Sequence, residues 1–332
     1  MALEPLPTNQ NQGSQEPSRQ AGRADPNAAV FERLATEFIK EQKSARRMKF
    51  ISRILVVLVV LLIFAASFRN TPVVKNECKT ECAALVRIDG EIAADADASA
   101  DHIITGLQDA FSSKHVRGII LEINSPGGSP VESGRVYDEI KRLRQLHTEI
   151  PIYVVVDDIA ASGAYYIAAA SDMIYVDKAS LVGSIGVIMS GFGFTGAMEK
   201  LGIEQRTQTA GKNKAFMDPF SPANAAQQEH MQKLLDNVHQ QFITAVKEGR
   251  GKRLPQDASD DLFSGLIWTG EDAVKLGLAD DFGSAAFVAR EIINTDDIHD
   301  FTYEPMWSER LVRRFGASVA ASLKPKLLHW GY

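Results

Sequence analysis

The apolar, β-branched run Ile152-Tyr-Val-Val-Val156 leads directly into Asp157-Asp-Ile-Ala-Ala-Ser-Gly-Ala-Tyr-Tyr-Ile-Ala-Ala-Ala-Ser-Asp172. The run reads as a buried strand, the small residues Ala160–Ala164 as a tight turn, and the alanine-rich stretch after them as a helix. Ser162 falls at the turn. A serine there can cap the helix, which is the common use. It can also present its oxygen as a nucleophile at a helix N-terminus, where small neighbours let a substrate backbone come close.

The same strand-then-helix alternation recurs around this stretch. Leu85–Ile88 reads as a strand, Ala98–Ser113 as a helix with Ile103, Ile104, Leu107 and Phe111 on one face, and Val116–Asn124 as a strand. Ser125-Pro-Gly-Gly128 is a turn, and Val131–Leu146 an amphipathic helix. Met173–Val176, Val182–Met189 and Ile203–Thr209 read as strands, and Pro222–Lys247 as a long helix suited to packing or subunit contact. This order predicts an α/β layered fold with a mostly parallel sheet.

Upstream, Ile54–Phe68 carries no charge, and with Ile51 and a snorkelling Arg53 the apolar stretch reaches 18 residues. At ~1.5 Å per residue that is about 27 Å, enough to cross a hydrocarbon core of roughly 30 Å. A transmembrane helix is predicted over 51–69. Lys40, Lys43, Arg46, Arg47 and Lys49 precede it, so the N-terminus is expected in the cytoplasm and the rest across the membrane, which in a bacterium is the periplasm. The expected organisation is a disordered, basic tail over 1–50, the span, a linker over 70–83, a globular region over 84–295, and a basic, aromatic tail over 296–332. That last tail, with Trp307, Arg310, Arg313, Arg314, Phe315, Lys324, Lys326 and Trp330, suits an anionic membrane surface or simply carries charge.

A net charge of −6 gives no reason to expect nucleic acid as a partner. Cys78 and Cys82 make no zinc pattern, and the sequence leaves open whether they pair together, pair between subunits or stay free.

Three features converge on acyl transfer. Asn124-Ser-Pro-Gly-Gly-Ser129 closes one strand and opens a helix, and its glycines let backbone N–H groups turn to one point, as an oxyanion hole requires. Ser162 closes the next strand, and neighbouring parallel strand ends meet at one edge. Ser162 then needs a base, either a distant histidine or a lysine. Lys214 is flanked by Gly211, Ala215, Phe216 and Met217 and its surroundings read as apolar. Lowering a lysine from about 10.4 to near 7 takes roughly 4–5 kcal/mol, which burial can supply and solvent cannot.

Together, NSPGGS, ASGAYYIAAASD, LVGSIGVI, GKNKAFMDP and TGEDAVKLGLADDFG resemble the signal peptide peptidase A family of serine proteases, over about Leu85 to Gly283. The resemblance implies the ClpP/crotonase fold of repeated β-β-α units. It implies Ser162 as nucleophile, Lys214 as general base and Ser184, in GSIG, as the serine that holds the lysine. Gly127 and Gly128, with the N–H of Gly163, would be the oxyanion donors. Lys212 is a rival base that an extended segment would point to the same side, and only the family match selects Lys214. No metal or cofactor is expected. Such proteases are membrane-anchored, degrade cleaved signal peptides, and at this length assemble into homo-oligomeric rings whose neighbours can share a site. The alternatives are a membrane quality-control protease of the SohB type, a crotonase-like enzyme acting on acyl-CoA, and an inactive membrane scaffold. The periplasmic placement and the lack of an acidic base at a matching turn weigh against the acyl-CoA enzyme.

Overall fold

In the computed structural model the described residues are 48–59, 61–62, 77–257 and 259–304. They fall in two units, 1–71 and 72–332. In the first, 48–59 and 61–62 are helical (α1), and its apolar side chains, Phe50, Ile54, Leu55, Val56, Val57 and Leu58 among them, are all exposed. No helix among the described residues is long and apolar enough to cross a membrane. Residues 60 and 63–69 of the predicted span lie outside the described residues, as do the tail over 1–47, the linker over 70–76 and the C-terminal tail from 305 onward.

In the second unit the apolar runs become strands because both faces of the sheet are covered, so continuous hydrophobic stretches are tolerated. The strands are β1 (Cys82–Asp89), β2 (Val116–Ser125), β3 (Ile152–Ala161), β4 (Met173–Val176), β5 (Leu181–Gly183), β6 (Ile267–Thr269), β7 (Asp281–Phe282) and β8 (Ile298–Asp300). They form one sheet in the order β6-β5-β3-β2-β1-β8, with β4 joined to β3 and to β7. Every pairing is parallel except β5 with β6. The mixed, mostly parallel α/β architecture fits the ClpP-like fold.

One face of the sheet buries Val86, Ile88, Ile119, Leu121, Ile123, Val154 and Val156 under α2 (Ala100–Ser112), α3 (Pro130–Leu146), α4 (Gly163–Ala168) and the C-terminal half of α6 (Ala225–Arg250). The other face buries Leu85, Ile120, Val155 and Tyr175 against Val288, Ala289 and Ile293. Each such side chain contributes about 1.5–3 kcal/mol when taken fully out of water.

Four details depart from the sequence reading. β3 continues through Asp157 and Asp158, because it changes partner there: Tyr153–Val156 pairs with β4 and Ile159–Ala161 with β5. The strand expected over Val182–Met189 stops at Gly183, where two successive residues, Gly183 at φ 108° and Ser184 at φ 51°, turn the chain out of line. Ile203–Thr209 is not a strand; a strand needs a partner, and among the described residues nothing pairs with it. Between these lies a short helix, α5 (Thr195–Leu201). The sheet also runs past residue 295, since β8 pairs with β1 through Ala83 and Ile298. Cys78 and Cys82 are joined as a disulfide, both buried, just as the chain starts β1.

Candidate active site

The site is built by two adjacent strand-to-helix turns. The first follows β2. Ser129 accepts from the Glu132 N–H as N-cap of α3, with Pro130 at the first helical position. Glu132 at the third position suits a capping box, but its buried carboxylate instead accepts from the Ala100 N–H at 2.8 Å, so it joins the starts of α2 and α3. Gly127 and Gly128 hold φ of 94° and 153°, values that favour glycine. Their turn is fixed by Ile92, whose N–H donates to Gly127 O at 2.9 Å and whose carbonyl accepts from Ser129 N–H at 2.8 Å.

The second turn carries Ser162 from β3 into α4. Its backbone is in a strained region, φ 53° and ψ −125°. It holds the N-cap position, yet its side chain makes no capping bond, and among the described residues its hydroxyl has no hydrogen-bond partner. The conformation is locked by the backbone: Ser162 N–H donates to Gly183 O at 2.9 Å, and Ser162 O accepts from Tyr166 N–H at 3.0 Å. α4 is held down by Tyr165, fully buried, whose hydroxyl donates to Leu278 O at 2.8 Å; burial pushes that phenol above its usual range.

The two turns touch. A Cβ on Gly127 would lie 2.6 Å from Gly163 N and 2.8 Å from Ser162 Cβ, and a Cβ on Gly163 would lie 3.3 Å from Gly128 N. The Gly127 N–H is engaged, donating to Ser125 Oγ at 3.1 Å. The N–H groups of Gly128 and Gly163 donate to no acceptor among the described residues. Two unengaged donors therefore sit beside an unengaged hydroxyl, the donor set that a developing oxyanion needs.

Ser184 is brought to the same place. Gly183, its neighbour, accepts from Ser162 N–H, and Ser184 N–H donates to Leu266 O at 2.7 Å. Lys214 is not brought into hydrogen bonding with either serine. It lies in consecutive turns over 212–217, with its N–H donating to Gly211 O at 3.1 Å, and it is solvent-exposed, as is Lys212. Among the described residues the apolar cover expected for Lys214 is thus absent. The stretch of chain from 188 to 220, which includes Lys214, carries exposed apolar side chains: Ile188, Phe192, Leu201, Ile203 and Phe220. No histidine bonds to Ser162 among the described residues, and no group of acidic, histidine or cysteine side chains among them could hold a metal ion.

On the opposite face, the ends of β1, β2 and β3 gather Arg87, Asp89, Glu122 and Asp157. Burial and the Asp157 charge raise Glu122 above the ordinary carboxylate range, against the pull of Arg87 at 2.9 Å. Burial and the Asp89 and Asp158 charges raise Asp157.

Residues 144–297 match the model of Peptidase family S49. The chain is 46% identical over 177 residues to a protein of Brucella melitensis named Na(+)/H(+) antiporter NhaA, covering 53% of this chain and 24% of that protein. It is 36% identical over 182 residues to a putative signal peptide peptidase SppA of Enterococcus faecium, covering 55% and 52% of the two chains. A putative protease of Methanocaldococcus jannaschii is 36% identical over 185 residues, 56% of this chain and 58% of its own. The chain thus spans about a quarter of the first of these relatives and little more than half of the other two.

Proposed function

We propose, from the match of residues 144–297 to Peptidase family S49, that the chain is a membrane-anchored serine endopeptidase working through a Ser162–Lys214 dyad on cleaved signal peptides. The observation that carries this is the contact of two turns that sets the unengaged N–H groups of Gly128 and Gly163 beside the unengaged Ser162 hydroxyl.

Neutral Lys214 takes the proton from Ser162 Oγ as that oxygen attacks the peptide carbonyl. The tetrahedral oxyanion is held by the two N–H groups. The C–N bond breaks, the leaving amine takes the proton from Lys214, and an acyl ester remains on Ser162. Water, losing a proton to Lys214, then hydrolyses the ester and restores the serine. Ser184 holds the amine of Lys214 in place. No step calls on a metal or cofactor.

A lysine in water stays almost wholly protonated at pH 7, so the dyad requires Lys214 to be covered. A neighbouring copy in a homo-oligomeric ring supplies that cover, a reading supported by the exposed Ile188, Phe192, Leu201, Ile203 and Phe220 on the segment that bears Lys214. The apolar residues of α1, exposed on all sides, support a bilayer anchor over 51–69, and the basic flank of Lys40, Lys43, Arg46, Arg47 and Lys49 before it supports a periplasmic peptidase domain at an inner membrane.

Labelling with a serine-directed fluorophosphonate, mapped by mass spectrometry, tests the nucleophile. Ser162 should be the modified residue, and Ser162→Ala and Lys214→Ala should each abolish peptide cleavage. Cleavage that survives Lys214→Ala removes the dyad, and loss in Lys212→Ala alone moves the base. Activity regained on mixing Ser162→Ala with Lys214→Ala protein would place the two groups on different subunits.

A further inference from the structure

The segment after Ser184 is held by few hydrogen bonds. From Ile185 to Gly193 the chain is irregular, and among the described residues these nine positions make a single hydrogen bond. That bond joins Ile185 O to His239 Nε2 at 3.0 Å. We infer that His239 is a positioning residue: its Nε2–H pins the Gly183–Ile185 corner, and through that corner the backbone of Ser162. The inference rests on the peptidase reading above and adds a residue to it.

His239 stands where α6 leaves the core. On its C-terminal side Phe242, Ala245, Val246 and Arg250 are buried. Tyr137 Oη donates to Ala245 O at 3.2 Å, and the Arg250 guanidinium donates to Gly277 O at 2.9 Å. On its N-terminal side, from Ala225 to Asn237, no residue of the helix is buried. His239 is therefore close to the first side chain whose helix position is fixed by packing, and it reaches from there to Ile185, itself fully buried.

What it reaches matters because the corner is strained and shared. Gly183 and Ser184 both hold positive φ, which nothing local favours in a serine. The Gly183 carbonyl accepts from Ser162 N–H at 2.9 Å, and Ser184 N–H is held by Leu266 O at 2.7 Å. The corner is fixed on three sides, by β3's turn, by the Leu266 carbonyl and by α6. Cutting the α6 side leaves the Ile185 carbonyl without its hydrogen bond, so the corner rests on core packing and the other two sides alone, and Ser184 loses part of its support.

The test compares full-length parent protein with His239→Ala, His239→Phe and His239→Gln. Gln retains an N–H donor of similar reach, Phe retains a ring without one, and so Phe replaces Ala where Ala fails to fold. The expected result for Ala and Phe is a kcat lower by roughly ten- to a hundredfold with KM within about twofold, the signature of misplaced reacting groups. Gln should return to within about threefold of the parent. Amide hydrogen exchange at Ser162 and Ser184, whose N–H groups are bonded to Gly183 O and Leu266 O, should quicken in Ala and Phe and not in Gln. A kcat within twofold of the parent in Phe, or equal losses in Gln and Phe, overturns the inference. Cleavage that persists in Ser162→Ala would sink the peptidase reading instead; exchange at the bonded Ser162 and Ser184 amides then decides the pinning alone, and unchanged exchange in Phe refutes it.

Discussion

Replacing Gly127 by alanine is the sharpest available test of the two-turn contact. The added Cβ would lie 2.6 Å from Ala161 O, 2.6 Å from Gly163 N and 2.8 Å from Ser162 Cβ. Ordinary carbon contacts begin near 3.5 Å, so each pair overlaps by roughly 0.7–0.9 Å. All three atoms are backbone or Cβ, and none can swing aside. Overpacking of this kind costs about 1–3 kcal/mol. The backbone at φ 94° adds about 1–2 kcal/mol for any residue with a Cβ. The sum is about 2–5 kcal/mol if the turns stay put. If they part by ~1 Å instead, the stability loss shrinks, but the serine moves off its donors, at a rate cost of about 10²-fold. Urea unfolding and the rate of fluorophosphonate labelling at Ser162, measured on one sample, capture both branches. Gly134→Ala is the control: it lies in α3 with nothing within 4 Å of its added Cβ, and should be neutral or stabilising by up to about 1 kcal/mol. A Gly127→Ala protein within 0.5 kcal/mol of the parent and labelled at the parent rate would refute the close contact.

Asp280 accepts from Arg250 at 2.8 and 2.9 Å, from Arg253 Nε at 2.9 Å and from Ile174 N–H at 2.7 Å, and Arg250 is 1% exposed. Asp280→Ala should therefore cost about 3–5 kcal/mol in chemical unfolding, because it strands a buried guanidinium, while Asp280→Asn should cost less. The Cys78–Cys82 bridge spans a sequence separation of only 4, so replacing both by serine should cost about 2 kcal/mol by the loop-entropy relation, read as a lower midpoint in non-reducing thermal melts. Glu122 and Asp157 are raised in the folded state, so the fold binds more protons than the open chain just above the ordinary carboxylate range, and their contribution to stability falls as pH rises through that window. Asp157→Asn should raise the melting temperature at pH 7, with the gain vanishing on acidification below that range; an equal gain at both ends would contradict this account.

The site was legible in sequence where it is local. The strand, turn and helix around Ser162, and the glycine pair after Asn124, follow from β-branched runs ended by small residues, and both turns form as expected. What the sequence hid depends on pairing partners. Asp157 and Asp158 read as the end of a strand, because nothing local says that β3 exchanges β4 for β5 at those residues. Ile203–Thr209 alternates like a strand but meets no partner strand among the described residues, and its Gln205 is held by side chains, Asp218 and Ser221. The Ile298–Asp300 strand is too short to give a periodic signal in the sequence. The surroundings of Lys214 could not be judged from flanking residues at all, since apolar neighbours in sequence do not make a dry site in space. His239 carried no signal either; its partner lies 54 positions away.

The pairing of Ala83–Leu85 with Ile298–Asp300 sets the first described strand of the sheet beside the last, with β8 at the rim. A protease that nicks the polypeptide after Glu304 would leave this seam closed, whereas trimming back to Asn294 would strip β8 away and bare the outer rim of β1. An unsheathed rim of that sort invites strands from other molecules, so shortened versions of this protein should stay dispersed or clump according to which side of Ile298 the cut falls.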